Sequence, residues 1–387
     1  MLAAAPGERL KILRDILGLT QDQLAGLSGV SQPWISEVET SSRDASEDKL
    51  RQIAESTGTP LGFFAVAPSS VPLDSLRFRK TARAKKSITR RVHAIYGESF
   101  RVAGNLSDAE NYPAPSLPYA VGDDDLADTQ VEEFAQEARE SLRLAPDKPI
   151  PHLTRALERA GVAVAPMVLP NDQDEERTAI GHFGVSYWEG LGDPALIGYF
   201  PGHQGDRDRF TLAHELGHLV LHTFRPRVAQ LQAEAEANRF ATALLVPLSR
   251  AESELSDRLS LTDYARLKAT WGVSIQALIM RGHSIGSIGE TRRKSLFVQL
   301  SAKGWRRQEP VVVGHEAPKL LWTLLSRRFG PRPYLPAAEE LAIHPTVLRS
   351  IAPTPAGSNS LPSTAARSEH GRKVVSFPGA RAALQHG

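Results

Sequence analysis

The sequence predicts a mostly helical α+β chain, with an all-α helix-turn-helix domain at the N-terminus and a larger domain behind it that holds one small β-sheet. Three observations carry this reading. Short apolar-periodic segments with strong helix punctuation fill residues 8–66. Short extended runs at 162–168, 180–187 and 195–200 are separated by polar and glycine-containing turns. Two helical segments then follow at 209–222 and 234–247, and helix resumes beyond Pro247.

In the first domain, Leu10, Leu13 and Leu17, with Ile12 and Ile16 beside them, give the first helix its buried face before Gly18 stops it. Thr20 caps the second helix, and Gln23, three residues on, completes a capping box. Gly29 closes that helix in a left-handed conformation, Ser31 caps the third, and Pro33 is tolerated in its first turn. Two short helices joined around Gly29 make a helix-turn-helix, with Leu24, Ala25, Val30, Ile35 and Val38 as core. The stretch G-L-T-Q-D-Q-L-A-G-L-S-G-V-S-Q-P-W-I-S-E-V-E resembles the XRE repressor family. That resemblance implies a third helix in the DNA major groove, with Gln32, Pro33 and Ser36 outward, Gln21 near a phosphate and Arg43 completing the DNA-binding set. Yet within residues 1–66 the acids outnumber the bases, so this domain alone should bind DNA weakly.

Compensation is available in residues 77–101, where Arg77, Arg79, Lys80, Arg83, Lys85, Lys86, Arg90, Arg91 and Arg101 face only Glu98. Ile88, Val92, Ile95 and Tyr96 fall near helical spacing, which predicts a helix with one apolar and one basic side. That basic side rests along phosphates, binds an acidic surface or is simply solvated. After Asn111 the run Y-P-A-P-S-L-P-Y, with Gly122 and acidic residues behind it, reads as a linker. Helices at about 128–144 and 150–160 follow, and then the three extended runs.

The chemistry concentrates in R-F-T-L-A-H-E-L-G-H-L-V-L-H, residues 209–222. His214 and His218 are four apart on an apolar helix, so both imidazoles share one face, one turn apart. Two histidines so placed can share one Zn2+ ion, and Glu215 can take a proton from a zinc-bound water and carry it to a leaving amine. The implied reaction is amide hydrolysis. Gly217 inside this helix is unfavourable by roughly 1 kcal/mol against alanine, which points to a close approach by another backbone or a metal site.

A catalytic zinc takes a third protein ligand. His222 lies two turns, about 12 Å, from His214 along a straight helix and cannot share the ion. Position 224 is Phe224, which excludes the metzincin pattern. The next helix, E-A-E-A-N-R-F-A-T-A-L-L-V-P, is the better source. Glu234 and Asn238 share a face with Ala237, Ala241 and Leu245, whereas Glu236 points away with Phe240 and Ala243. Glu234 is therefore the preferred ligand, with Asn238 as outer partner of a ligating histidine and Glu236 as the alternative ligand. His182, Tyr187, Tyr199 and His203 are candidates for polarising a scissile carbonyl, and no spacing selects among them.

Together, F-T-L-A-H-E-L-G-H-L-V-L-H and E-A-E-A-N-R-F-A-T-A-L-L-V-P resemble the ImmA/IrrE metallo-endopeptidases, in a form fused to an XRE-type helix-turn-helix, over about residues 8–310. The stretch L-K-A-T-W-G-V-S-I-Q-A-L-I-M-R continues the likeness, with Trp271, Ile275 and Leu278 as core. The resemblance implies a gluzincin-like zinc metallopeptidase domain and selective cleavage of a repressor-type protein in a stress or phage and mobile-element response. The domains expected are 1–68 (helix-turn-helix), 69–125 (basic helical connector and Pro-rich linker), 126–310 (metallopeptidase), 311–352 (helical appendage) and 353–387 (disordered tail).

Composition sets the outer bounds. Of 387 residues none is cysteine, so histidine and carboxylate are the only credible metal ligands. Net charge is +2, so nucleic-acid affinity must come from local clustering. No apolar run approaches membrane-spanning length, which makes a cytoplasmic protein without a membrane partner the expectation. A homodimer is expected if DNA half-sites are paired. The competing expectation is an XRE-family regulator whose metallopeptidase-like domain senses a ligand or metal without proteolysis.

Overall fold

A computed structural model describes residues 6–72, 86–168, 184–202 and 204–355. The helix-turn-helix region is built from α1 (Pro6–Leu17), α2 (Gln21–Ser28), α3 (Gln32–Glu39) and α4 (Glu47–Thr57), closed by a 3-10 turn at Leu61–Phe64. Its punctuation is as the residues predict. Thr20 and Gln23 form a complete capping box, and Gly18 and Gly29 adopt φ of 67° and 72°. Ser31 stands at the N-cap of α3 but its side chain caps nothing.

The basic connector is α5 (Lys86–Ala109), which together with three strands organises the rest of the chain. Strands β1 (Val162–Pro166) and β3 (Ala195–Tyr199) pair in parallel, and β2 (Gly184–Trp188) pairs antiparallel to β3, giving the order β1-β3-β2. Side chains alternate across the sheet. Ala163, Ala165, Val185 and Leu196 enter one core, shared with α1–α5 and with α14 (Leu320–Phe329), α15 (Tyr334–Glu340) and α16 (Pro345–Ile351). Val162, Val164, Trp188, Ala195 and Ile197 enter a second core on the other face.

That second core contains α6 (Asp128–Ser141), α7 (Leu153–Arg159), α8 (Gly205–His222) and α9 (Gln230–Leu245). It continues through α10 (Leu248–Glu254), α11 (Leu261–Trp271), α12 (Ile275–Ser284) and α13 (Glu290–Ala302), with Trp271, Ile275 and Leu278 buried as expected. The sheet is thus a partition, with α5 against one face and α8 against the other. Tyr96 of α5 donates from its hydroxyl to the Leu196 carbonyl at 2.7 Å.

Two segments behave differently from the bare sequence pattern. The Pro-rich stretch after Asn111 is fastened down: Leu117, Ala120 and Leu126 are buried, and the Ala120 amide donates to the Val220 carbonyl at 2.9 Å. The helices after residue 319 pack into the same core as the helix-turn-helix, because Leu321, Leu324, Leu325, Val347 and Leu348 supply a continuous apolar face. The described residues all fall in one compact unit, Met1–Pro355. Among them, no helix is long and apolar enough to cross a membrane.

Candidate metal centre

Helix α8 is buried on nearly every side, and α9 folds back against it. Gly217 is what permits the approach: a Cβ there would stand 3.0 Å from Phe240 Cδ1 and 3.3 Å from Ala237 Cα. The close backbone foreseen from this mid-helix glycine is therefore α9, and the contact sets Glu234 opposite the two histidines.

His214 Nε2 and His218 Nε2 lie 3.1 Å apart, and the Glu234 carboxylate oxygens lie 3.5 Å and 3.4 Å from them respectively. One ligand-type atom from each of the three residues falls within 4.8 Å of the others. Tetrahedral zinc with ligand bonds of about 2.0–2.1 Å needs donors separated by about 3.3–3.4 Å. The donor set fits such an ion. Glu234 Oε1 is buried and makes no hydrogen bond, which suits an atom whose partner is a cation.

The protonation states also suit a cation. Burial pushes the His218 imidazole down to about 3, so it is neutral, as a ligating histidine must be.

Each imidazole has a partner on its far side. His214 Nδ1 meets Asn238 Oδ1 at 3.1 Å, and His218 Nδ1 meets His222 Nδ1 at 3.0 Å. Glu236, the alternative ligand, points away from the cluster. Its Oε2 lies 3.1 Å from His222 Nε2 and accepts from Arg225 Nη1 at 2.7 Å.

Glu215, next to His214 in α8, meets the sheet at β2. Ser186 of β2 donates from Oγ to Glu215 Oε2 at 2.8 Å. A Cβ at Gly184 would stand 2.5 Å from Glu215 Oε1, so only glycine lets the strand pass so close. Sequence reasoning missed Ser186, Gly184 and His222, and no spacing signal marks the first two.

Of the four carbonyl-polarising candidates, His182 and His203 lie outside the described residues. Tyr187 meets Phe100 edge to face, on the sheet face opposite Glu215. Tyr199 is buried near Asp208, where desolvation pushes its hydroxyl well up. Tyr187 is therefore on the wrong side of the sheet to polarise a carbonyl at Glu215, whereas Tyr199 pairs across the strands with Gly184.

The residues chosen for DNA contact fall into two groups. Gln32 Nε2 donates to Gln21 Oε1, and Gln21 Nε2 to Glu39 Oε2, each at 2.8 Å, so Gln21 of α2 bridges the first and last residues of α3 and both amides are engaged within the domain. Pro33 is exposed and Ser36 half-buried, while the exposed Arg43 pairs with Glu37 at 2.8 Å. Of the basic run, Arg77, Arg79, Lys80, Arg83, Lys85 and the Lys86 side chain lie outside the described residues. Arg91 donates to the Ile16 carbonyl, and Arg101 donates to Glu98 and to the Leu341 and Ala342 carbonyls. These two arginines hold the fold together and are not a phosphate-facing surface.

Fold and site together define a helix-turn-helix domain joined to a metallopeptidase-like α+β domain. Comparison with known families agrees. Residues 162–283 match the IrrE N-terminal-like domain, and residues 7–62 match a helix-turn-helix domain, so the chain carries the fusion that its motifs resemble. No curated protein matches the chain.

Proposed function

We propose that the protein is a regulatory zinc-dependent endopeptidase that the helix-turn-helix domain directs to its substrate or promoter. The convergence of His214, His218 and Glu234 on one point, with Glu215 following His214 in the same helix, carries this reading. When bound there, zinc supplies Lewis acidity and lowers the pKa of its water to about 7. His214, His218 and Glu234 hold the ion. Glu215 takes a proton from the attacking water and delivers it to the leaving amine, and Ser186 keeps its carboxylate aimed. Among the described residues β2 pairs only with β3, and its outer edge takes the substrate backbone as an added strand. A repressor-type protein is the substrate that fits a peptidase joined to a DNA-binding domain.

Glu215→Gln is expected to bind zinc normally while cleavage falls by about 10²–10⁴-fold, and His214→Ala to lose both. The test compares protein N-termini across the proteome of the native host expressing wild type or Glu215→Gln. A terminus found only with the wild type names the substrate. Identical termini, with zinc confirmed in both proteins, would overturn the peptidase reading.

One observation favours a second reading, a DNA-binding regulator that senses a metal or ligand. The helix-turn-helix and one face of the sheet share a single core, so a change at the metal centre has a packed route to α3. DNA-site mapping in the presence and absence of zinc separates the two.

A further inference from the structure

We infer that His222 is a positioning residue: it accepts the Nδ1 proton of His218 and so fixes that histidine as a metal ligand, backed by Glu236 and Arg225. This rests on the zinc reading above. If His218 ligates through Nε2, the atom 3.4 Å from Glu234, its proton sits on Nδ1 and requires an acceptor. The atom facing it is His222 Nδ1, at 3.0 Å. With that nitrogen accepting, the proton of His222 sits on Nε2, which faces Glu236 Oε2 at 3.1 Å. The same oxygen accepts from Arg225 at 2.7 Å, and Glu236 Oε1 accepts from Gln232 and the Leu126 amide at 3.0 Å and 3.1 Å.

Each acceptor in this relay has a donor, and His218, His222, Glu236 and Arg225 are all buried. The two ligating histidines are thus oriented by different devices. His214 leans on a single amide, Asn238, whereas His218 leans on a charged chain that also grips the backbone at Gly122 and Asp124 through Arg225. His222, excluded as a ligand by its distance along the helix, has this orienting role instead.

The test titrates Zn2+ into the metal-free full-length protein against a chromophoric chelator. His222→Phe keeps a ring in the site but removes the acceptor, and zinc affinity should fall by about ten- to a hundredfold. His222→Asn loses the ring but sets an amide oxygen near the place of Nδ1, and should stay within about threefold of wild type. A residue that merely filled space would give the reverse order. Wild-type affinity in the phenylalanine variant, or an equal loss in both variants, would overturn the inference. Thermal unfolding without metal checks that each variant folds, and His222→Leu replaces His222→Phe if the latter does not. Glu234→Gln is the control: if it binds zinc as well as wild type, or wild type binds none, the metal reading itself fails.

Discussion

Two glycines let α8 pack against α9 and β2 around the candidate metal centre, and each makes a prediction opposite to ordinary propensity. Alanine is normally favoured over glycine inside a helix by about 1 kcal/mol. At Gly217 the added Cβ meets Phe240 and the backbone of α9, so Gly217→Ala should lower stability by about 1–3 kcal/mol in urea unfolding. A stabilised variant would contradict the packing described. Gly184→Ala would push on the Glu215 carboxylate rather than on a ligand. It should bind zinc like wild type yet cleave about a hundredfold more slowly, the usual cost of displacing a reacting group by about 1 Å. Gly217 was legible in the sequence because a mid-helix glycine is anomalous. Gly184 was not, since a glycine inside a short extended run carries no sign of which distant side chain approaches it.

Helix α5 is the element whose role changed most between pattern and fold. Its charge run suggested a basic outer surface, of which the described part of the helix shows the exposed Arg90, and Glu98 lies at the centre of a buried network. Arg9 of α1 pairs with it through two nitrogens while also donating to the Phe63 carbonyl, and Arg101 pairs with it at 2.8 Å. Removing the shared carboxylate leaves the buried Arg9 guanidinium without its countercharge, so Glu98→Gln should destabilise the protein by about 3–5 kcal/mol. Burial pushes the Glu98 carboxyl up, but Arg9 and Arg101 outweigh it and hold it below its ordinary 4.5. A depressed folded pKa adds stability that is present above the unfolded value and disappears as pH falls through the folded one. The gap in urea midpoint between wild type and Glu98→Gln should therefore be widest near pH 7 and narrow below about pH 4.5. A gap that does not change with pH would mean the carboxylate charge is not what stabilises the contact.

At the scale of the whole molecule, two cores share one sheet, and the helix-turn-helix belongs to the first of them rather than hanging from a tether. Separate melting of the helix-turn-helix and the metallopeptidase-like domain is then not expected. Calorimetry should show one cooperative transition for the compact unit, and chelating zinc should lower its midpoint as a whole. At a thousandfold excess of ion over its Kd, the stabilisation lost is about 4 kcal/mol. A separate helix-turn-helix transition, unmoved by chelation, would show that the shared core does not couple the two.

Local chemistry made much of this legible before any fold was known. The capping box at Thr20, the left-handed glycines, the histidines one turn apart and the choice of Glu234 over Glu236 all depend on helix periodicity and cap geometry, which act within a few residues. What needed the tertiary structure is whatever joins distant segments. The strand that holds Glu215, the relay behind His218, the burial of Arg9 against Glu98 and the capture of the C-terminal helices by the first core all pair residues that no sequence period relates. Those contacts exist only once a sheet with two buried faces has chosen what packs on each side.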